Sequence, residues 1–158
     1  MWTLTDSPVG QLRIVEQDGA ITAIEFEPFR ATGRPLGERR DDHPVLADAI
    51  AQLTAYFARD LKEFDLPLAP VGSPFQQQVW DQLRQIGYGE TASYGQVAGR
   101  LGRTNAASRA VGLANGQNPI PIVVPCHRVL HAGGGLGGYT GGLDRKRFLL
   151  RLEGVLEA

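Results

Sequence analysis

A proline-rich segment near the middle of the chain, PLAPVGSP at residues 67–74, sets the first limit on the fold. Proline fixes φ and has no backbone N–H, so the three prolines in these eight residues interrupt both helices and central strands. A hairpin pattern precedes the segment, whereas helix-start signals follow it. Because 158 residues are enough for two small domains, we predict one domain over residues 1–70 and another over residues 71–158.

The residues before this linker predict a small sheet with one helix. Two partly alternating apolar runs over residues 11–26 flank an Asp-Gly pair at 18–19, which suits the tight turn of a hairpin. The charged segment 28–43, which contains prolines and glycines, predicts a surface loop. A helix is expected to begin at Pro44, and a short strand is expected over residues 64–68.

The residues after the linker predict short helices. Ser73–Gln76 and Ser93–Gln96 each match a capping box, in which serine and glutamine together cap a helix start. A turn at 102–104 leads into a helix over residues 105–115, and this arrangement has the outline of a helix-turn-helix. Helical hairpins that do not bind DNA share the outline. The predicted fold class is α+β: a small sheet-plus-helix domain, then a mostly helical domain with a helix-turn-helix.

The helix predicted over residues 105–115, NAASRAVGLAN, consists almost entirely of small residues, and Arg109 is its only long side chain. Long polar side chains normally reach base edges in the major groove of DNA, whereas small residues permit close approach to the narrow minor groove. Tight packing inside the domain, with Arg109 simply solvated, explains the same composition.

Charged residues divide unevenly between the two predicted domains. Residues 1–70 carry 7 basic and 12 acidic side chains, a net charge of −5. Residues 71–158 carry 9 basic and 5 acidic side chains, a net charge of +4. The basic half fits an anionic partner, and an ordinary solvated surface fits equally well.

Composition also argues against several classes of protein. No stretch approaches the roughly 18 apolar residues of a membrane span, and the N-terminus lacks the basic and apolar segments of a secretion signal. The single cysteine cannot form an internal disulfide, and with the three histidines it shows no zinc-ligand spacing. We expect a cytoplasmic protein that binds no membrane and no metal.

The single cysteine, Cys126, stands between an apolar run and a histidine in PIVVPCHRVL. Residues 120–124 predict a buried strand that ends at Pro125, and Asn118-Pro119 predicts a turn before it. The thiol is therefore held at the end of a strand bracketed by turns. It is either a small buried hydrophobe or a nucleophile.

A nucleophilic thiol needs activation, because a thiol of pKa about 8.5 is only a few per cent thiolate at neutral pH. His127 is the nearest base, although adjacent side chains of an extended chain point to opposite faces. Contact therefore requires a local bend or a bridging water. A carboxylate commonly orients such a histidine.

The candidate carboxylate is Glu153, in the last turn of a helix predicted from Asp144 to Gly154. Its negative charge opposes the helix dipole there. A cationic or donor partner such as His127 would remove that anomaly. A charge simply tolerated in water is the alternative.

A glycine-rich segment, HAGGGLGGYTGG, follows the cysteine region and contains a GxGxxG match. A dinucleotide fingerprint requires a preceding strand and a helix that opens on the third glycine. The predicted helix begins later, at Asp144, so we expect a flexible loop whose backbone approaches a ligand closely.

Three segments together resemble the O6-alkylguanine-DNA alkyltransferase family, also called methylated-DNA–protein-cysteine methyltransferases. They are SPFQQQVWDQLRQIGYGETASYGQVAGRLG, SRAVGLANGQNPIPIVVPCHRVL and GYTGGLDRKRFLLRLEG, and they cover nearly all of residues 73–154. The Pro-Cys-His-Arg core, with Asn-Pro before it and Tyr-x-Gly-Gly after it, is highly specific. Residues 1–70 resemble the ribonuclease H-like N-terminal domain of the family only loosely, through their hairpin–helix order.

The resemblance implies direct-reversal DNA repair without a cofactor: an irreversible, stoichiometric transfer of the alkyl group from O6-alkylguanine, and from O4-alkylthymine, to Cys126. His127 would act on Cys126 through a water, and Glu153 would orient the imidazole. Tyr94 would donate toward the departing guanine, which needs a proton, and Asn118 would brace the turn before the cysteine. Arg128 belongs to the same core and is expected to be structural.

The resemblance also implies minor-groove binding to double-stranded DNA, in which Arg109 fills the gap left by a flipped base. The other residues implied at the DNA surface lie on or beside the two helices of the helix-turn-helix: Ser93, Tyr94, Ala107, Ser108, Ala110 and Asn115. The backbone around Cys126 and Val129 would line the base pocket, together with Tyr139 and Thr140. A monomer is expected, and clustering along DNA is left open.

Two other functions compete with this interpretation. A hydrolase with a Cys-His-Glu site would turn over esters or peptides through an acyl-enzyme, and it would need an oxyanion hole that the sequence does not specify. A pure DNA-binding module would recognise lesions without repairing them. Relatives of that kind lack the acceptor cysteine, which is present here as Cys126.

Overall fold

The structure of the protein, a computed structural model, describes residues 1–30 and 35–156. The chain divides into two compact units, Met1–Val71 and the residues from Gly72 onward. No helix among the described residues is both long enough and apolar enough to cross a membrane.

The first unit contains a three-stranded antiparallel sheet. Asp18 and Gly19 form the predicted hairpin turn, and both have positive φ, 53° and 83°, as a two-residue hairpin turn requires. The strands pair in chain order: β1 (Trp2–Thr5), β2 (Leu12–Gln17) and β3 (Ala20–Phe26). Side chains of β2 and β3 that face the core, such as Leu12, Ile14 and Ile21, are fully buried.

One helix, α1 (Pro44–Phe57), packs against the sheet. It begins at Pro44 as predicted, and the imidazole of His43 caps it by accepting the Val45 N–H at 3.2 Å. Burying its apolar side, which includes Leu46 and Leu53, closes the core of this unit.

Two details of the first unit differ from expectation or lie beyond the described residues. The strand predicted over residues 64–68 is wrong: only Leu68 forms a bridge, to Ile21, and Pro67 has no N–H with which to extend the pairing. Part of the expected loop, residues 31–34, lies outside the described residues.

The second unit is mostly helical. Both predicted capping boxes are present, because Ser73 and Ser93 each accept an N–H from the third helical residue, whose glutamine side chain bonds back. Its elements are α2 (Pro74–Leu83), β4 (Ala92–Ser93), α3 (Tyr94–Arg100), a 3₁₀ turn (Asn105–Ala107), α4 (Ser108–Gly116), a second 3₁₀ turn (Cys126–Arg128), β5 (Val129–Leu130) and α5 (Leu143–Leu152).

Contacts among these short elements fix the positions of α3, α4 and the cysteine. Trp80 on α2 is buried, and its indole N–H donates to the Ala114 carbonyl of α4 at 2.9 Å. The helix expected over residues 105–115 thus divides into the 3₁₀ turn and α4, which packs against both α2 and α3. Strand β4 pairs in parallel with β5, so Ser93 lies opposite Leu130.

The buried strand predicted over residues 120–124 is wrong, because this segment forms successive turns. Its residues are indeed buried, but prolines 119, 121 and 125 cannot donate to a ladder. Local hydrogen bonds from Val123 to Pro121 and from Val124 to Ile120 take the place of strand pairing. The apolar run is therefore folded back on itself.

Candidate active site

The side chain of Asn118 braces the turns that lead to the cysteine. Its amide nitrogen donates to the Val124 carbonyl at 2.8 Å, and its amide oxygen accepts the Ile120 N–H at 3.0 Å. Within this brace Ile122 has a φ of 73°, a conformation that a β-branched residue adopts only when the surrounding structure imposes it. The Cys126 N–H then donates to Val124 at 2.8 Å, so the start of the next turn is fixed.

The 3₁₀ turn Cys126–Arg128, called here the cysteine turn, bends the chain at the thiol and the imidazole. Cys126 is 2% exposed and His127 is fully buried. Asn115 of α4 also reaches this turn, because its amide donates to the Cys126 carbonyl at 3.3 Å. Thiol and imidazole therefore belong to one rigid turn in the interior of the unit.

Glu153, the C-cap residue of α5, accepts hydrogen bonds from two consecutive residues of the cysteine turn. His127 Nε2 lies 2.7 Å from Glu153 Oε2, as the sequence analysis expected. Arg128 donates to both carboxylate oxygens, at 2.8 and 3.0 Å, and also to the Ile86 carbonyl at 2.6 Å. The sequence analysis expected Arg128 to be structural and did not identify it as a partner of Glu153, because no sequence feature assigns an acceptor to this side chain.

Burial and these contacts decide the protonation states at the site. Burial raises the pKa of Glu153, but hydrogen bonds from His127 and Arg128 and their charges outweigh it and lower the pKa to about 2. Burial lowers the pKa of His127 despite the carboxylate beside it. Burial raises the pKa of the Cys126 thiol to about 11, although Asn118 and the charge of Lys146 act in the opposite direction.

At neutral pH the site therefore holds a thiol, a neutral imidazole and a carboxylate. With Nε2 donating to Glu153, Nδ1 of His127 is left as the basic nitrogen. It has no hydrogen-bond partner among the described residues. An imidazole held in this way can accept a proton at Nδ1, and Glu153 stabilises the imidazolium that forms.

Tyr94 reaches the same region because it directly follows β4, which pairs with the strand after the cysteine turn. Its ring lies 5.3 Å from that of His131 between centroids. Burial raises the pKa of the half-buried phenol, and the neighbouring Cys126 raises it further. Tyr94 is therefore protonated at neutral pH and able to donate.

Residues 131–142, called here the glycine loop, pass close to Tyr94. Gly137 has a φ of 71°, and a Cβ at this position would overlap the Tyr94 hydroxyl. Thr140, expected to line the base pocket, is exposed and donates to the Gly116 carbonyl at the end of α4 at 2.5 Å. The other two expected pocket residues are the buried Val129 and the partly buried Tyr139.

The residues expected at a DNA surface fall into three groups. Arg109 and Ala110 are exposed on α4, and Ala107 and Ser108 are partly exposed at its start. The hydroxyl of Ser93 is occupied as the cap of α3. Asn115 differs from expectation: it is 3% exposed and holds the cysteine turn, so it does not lie on the surface of α4.

Leu113, one turn beyond Arg109, was not singled out by the sequence analysis. It is 66% exposed on α4, an unusual placement for a large apolar side chain. Its separation of four residues from Arg109, which puts the two on one helix face, was the available signal.

A buried thiol beside an imidazole held by a carboxylate defines a protein that uses cysteine as a nucleophile. Here that site belongs to a helical unit that exposes a small-residue helix, preceded by a sheet-plus-helix unit. No group of three His, Cys, Asp or Glu side chains within the described ranges is placed to hold a metal ion.

Family models identify the particular family. The one described as "6-O-methylguanine DNA methyltransferase, DNA binding domain" matches residues 74–155, and its "ribonuclease-like domain" counterpart matches residues 1–70. The chain therefore belongs to the 6-O-methylguanine DNA methyltransferase family.

Individual relatives agree with this assignment. A methylated-DNA–protein-cysteine methyltransferase of Mycolicibacterium paratuberculosis is 52% identical over 153 residues, which are 94% of this chain and 88% of that protein. A protein of the same name from Methanosarcina acetivorans is 44% identical over 97% of both chains. The crystal structure of Mycobacterium tuberculosis OGT in complex with DNA superposes with a TM-score of 0.86 at 45% identity, covering 96% of this chain and 91% of that one.

Proposed function

We propose that this chain repairs DNA by transferring the alkyl group of O6-alkylguanine, and of O4-alkylthymine, to Cys126. The observation that carries the proposal is the buried Cys126–His127–Glu153 arrangement, in which Nδ1 of His127, its basic nitrogen, has no hydrogen-bond partner among the described residues. Relatives named methylated-DNA–protein-cysteine methyltransferase support the same chemistry.

The transfer is a single displacement at the alkyl carbon. The thiol of Cys126 gives its proton to His127, and the sulfur forms a bond to the alkyl carbon as the bond from carbon to O6 breaks. The electron pair of that bond passes to guanine, which takes a proton from Tyr94. Exchange with solvent then moves the proton on His127 to the Tyr94 phenolate, and the products are a thioether and a repaired guanine.

A guanine stacked in a duplex hides its O6 substituent, so the proposal includes flipping of the base into the site. The proposal assigns the exposed Arg109 to the gap left in the base stack, with entry from the minor groove, and the small exposed residues around it would permit close approach of α4. DNA is also the partner in the crystal structure of the Mycobacterium tuberculosis relative.

The thioether has no evident route back to a thiol, because the sequence offers no second cysteine to accept the alkyl group. Each molecule is therefore consumed in one turnover and needs no cofactor. We expect it to act as a monomer in the cytoplasm, with clustering along DNA as an open question.

The direct test is incubation with duplex DNA that carries one O6-methylguanine, followed by the mass of the Cys126 peptide. One methyl group per protein molecule, absent in Cys126→Ala, is the expected result. Folded protein that binds this DNA but stays unmodified would overturn the proposal in favour of a lesion-binding module. Repeated turnover of an ester or peptide would instead favour the hydrolase.

A further inference from the structure

Helix α5 carries a second buried charge besides Glu153. Lys146 is fully buried, which lysine tolerates only with specific partners. It lies seven residues before Glu153, so the two share one face of the helix and are about 10 Å apart along its axis. The side chains between them on that face, Leu149 and Leu150, are buried as well. The helix thus presents a cation at one end and an anion at the other to the interior of the unit.

Lys146 forms hydrogen bonds to two segments of the site, the strand that follows the cysteine turn and the glycine loop. Its ammonium donates to the Val129 carbonyl, directly after the cysteine turn, at 2.8 Å. It also donates to the Gly138 carbonyl in the glycine loop at 3.3 Å. These carbonyl oxygens solvate the positive charge without neutralising it, because neither carries a net charge.

The charge of Lys146 acts on two titratable groups of the cysteine turn. The pKa of Lys146 is lowered to about 8 by burial, and the neighbouring Cys126 acts to raise it. In return, the positive charge of Lys146 lowers the pKa of the Cys126 thiol against the effect of burial. It also lowers the pKa of His127, as the weakest of the influences on that ring.

We propose that Lys146 is a positioning residue for the alkyl transfer: it fixes the glycine loop against the strand after the cysteine turn, and its charge stabilises the Cys126 thiolate as the thiol proton leaves for His127. The proposal rests on the function proposed above. Lys146 neither gains nor loses a proton in the step, and the bonds made and broken are those already described.

Two variants separate the charge of Lys146 from its packing. Lys146→Met keeps the length of the side chain and removes the charge, whereas Lys146→Arg keeps a charge that does not titrate near neutral pH. Arg147→Met is the matched control, since it removes a cation from the same helix at a partly exposed position.

The first measurement is the pKa of Cys126, from the ultraviolet absorbance of the thiolate after subtraction of the matching Cys126→Ala spectrum. Because the chain has one cysteine, the signal belongs to Cys126 alone. Because the unaltered Lys146 loses its charge near pH 8, below the range in which the thiol titrates, we expect Lys146→Met to leave this pKa unchanged. Lys146→Arg keeps its charge in that range and should lower the pKa by about one unit, which means roughly tenfold more thiolate at a given pH, whereas Arg147→Met should not change it.

The second measurement is the single-turnover rate of methyl transfer from O6-methylguanine duplex across neutral and alkaline pH. We expect the rate of the unaltered protein to fall below that of Lys146→Arg as pH rises past about 8, where Lys146 loses its proton. At neutral pH, where Lys146 is charged, these two proteins should react at similar rates, and Lys146→Met should be roughly tenfold slower.

A thiol pKa in Lys146→Arg and a rate in Lys146→Met that both match those of Arg147→Met would overturn the proposal. So would an equally slow rate in Lys146→Met and Lys146→Arg with an unchanged thiol pKa in both, because that result means packing alone. If circular dichroism shows Lys146→Met to be unfolded, a constant ratio between the rates of the unaltered protein and Lys146→Arg across pH 8 would contradict the role of the charge. Failure of the unaltered protein to take up a methyl group would refute the proposed function, while the thiol titration would still decide the role of Lys146.

Discussion

Glu153 ends α5 with a negative charge where the helix dipole disfavours one, yet its carboxyl is ionised. Three hydrogen bonds from His127 and Arg128 account for this, together with the positive charge of Arg128. Breaking a buried ion pair by removing one partner typically costs about 3–5 kcal/mol. The carboxylate that orients the imidazole is therefore also important to the stability of the second unit.

The ionised state of Glu153 predicts acid sensitivity of the second unit. A carboxyl whose pKa is lowered on folding stabilises the fold above its ordinary pKa of 4.5, and that contribution is lost as pH falls toward 2. We expect this carboxyl to account for about 3 kcal/mol of the loss in unfolding free energy over that range. Glu153→Gln should lack that part of the pH dependence, even though it is less stable at neutral pH.

The measurement is urea unfolding at several acidic pH values in a Trp2→Phe background, where the buried Trp80 reports on the second unit alone. Glu90→Gln, which alters an exposed carboxyl, is the control and should keep the full pH dependence. The same steep loss of stability in Glu153→Gln as in Glu90→Gln would show that Glu153 is not the group responsible.

Sequence analysis identified the site residues whose chemistry follows from their type and position along the chain. Cys126 and His127 are adjacent, and Glu153 was found because its charge is anomalous at a helix end. The contacts of Arg128 and Lys146 were not predicted, because the carboxylate and carbonyl groups that accept their hydrogen bonds cannot be assigned from the sequence. A signal for Lys146 did exist: it occupies a position in the apolar stripe of α5.

At the scale of elements, helix starts were predictable because a capping box is a local interaction between residues three positions apart. Strands were less predictable, since pairing depends on distant partners. The run at 120–124 has strand composition, but the side chain of Asn118 bonds its backbone into turns instead. Strand β1 was not predicted, because its four residues gain their structure only by pairing with β2.

We predict that replacing two neighbouring glycines of the glycine loop by alanine has very different effects on stability and on the rate of transfer. Gly137→Ala forces a side chain onto a backbone of φ 71° and into the Tyr94 hydroxyl. We expect a cost of about 1–3 kcal/mol in stability and a loss of roughly tenfold to a hundredfold in the rate of transfer, because the phenol is displaced. Single-turnover kinetics and thermal unfolding measure the two effects.

Gly138→Ala is the matched control, since a Cβ at that position meets no heavy atom within 4 Å and the backbone φ is not positive. It should change rate and stability little. Equal losses of rate and stability in both variants would mean that the loop tolerates no side chain at all. The explanation by a specific contact with Tyr94 would then be wrong.

At the scale of the whole molecule, the two halves of the sequence carry opposite net charges, −5 over residues 1–70 and +4 over residues 71–158. Cationic proteins release counterions from DNA on binding, so their affinity falls steeply with salt. A free base has no phosphate backbone and no such dependence. We therefore expect the positive net charge of residues 71–158 to affect the reaction with duplex DNA and not the reaction with a free base.

We predict that added salt slows repair of O6-methylguanine in duplex DNA but leaves the reaction with a free O6-alkylguanine base unchanged. Arg109→Ala should likewise weaken duplex repair about tenfold or more and spare the free base, because we assign this side chain to the DNA surface and not to the thiol. Rates on both substrates over a salt series provide the measurement. Equal losses of Arg109→Ala on both substrates would contradict its assignment to the DNA surface.

The burial of Cys126 has a consequence for how long an unused molecule stays competent. Oxidants attack thiolates that solvent can reach, and this sulfur is protonated at neutral pH and 2% exposed. Peroxide and glutathione disulfide therefore meet a poor target in the resting protein. A protein that can act only once is in this way preserved for its substrate by the packing around a single atom.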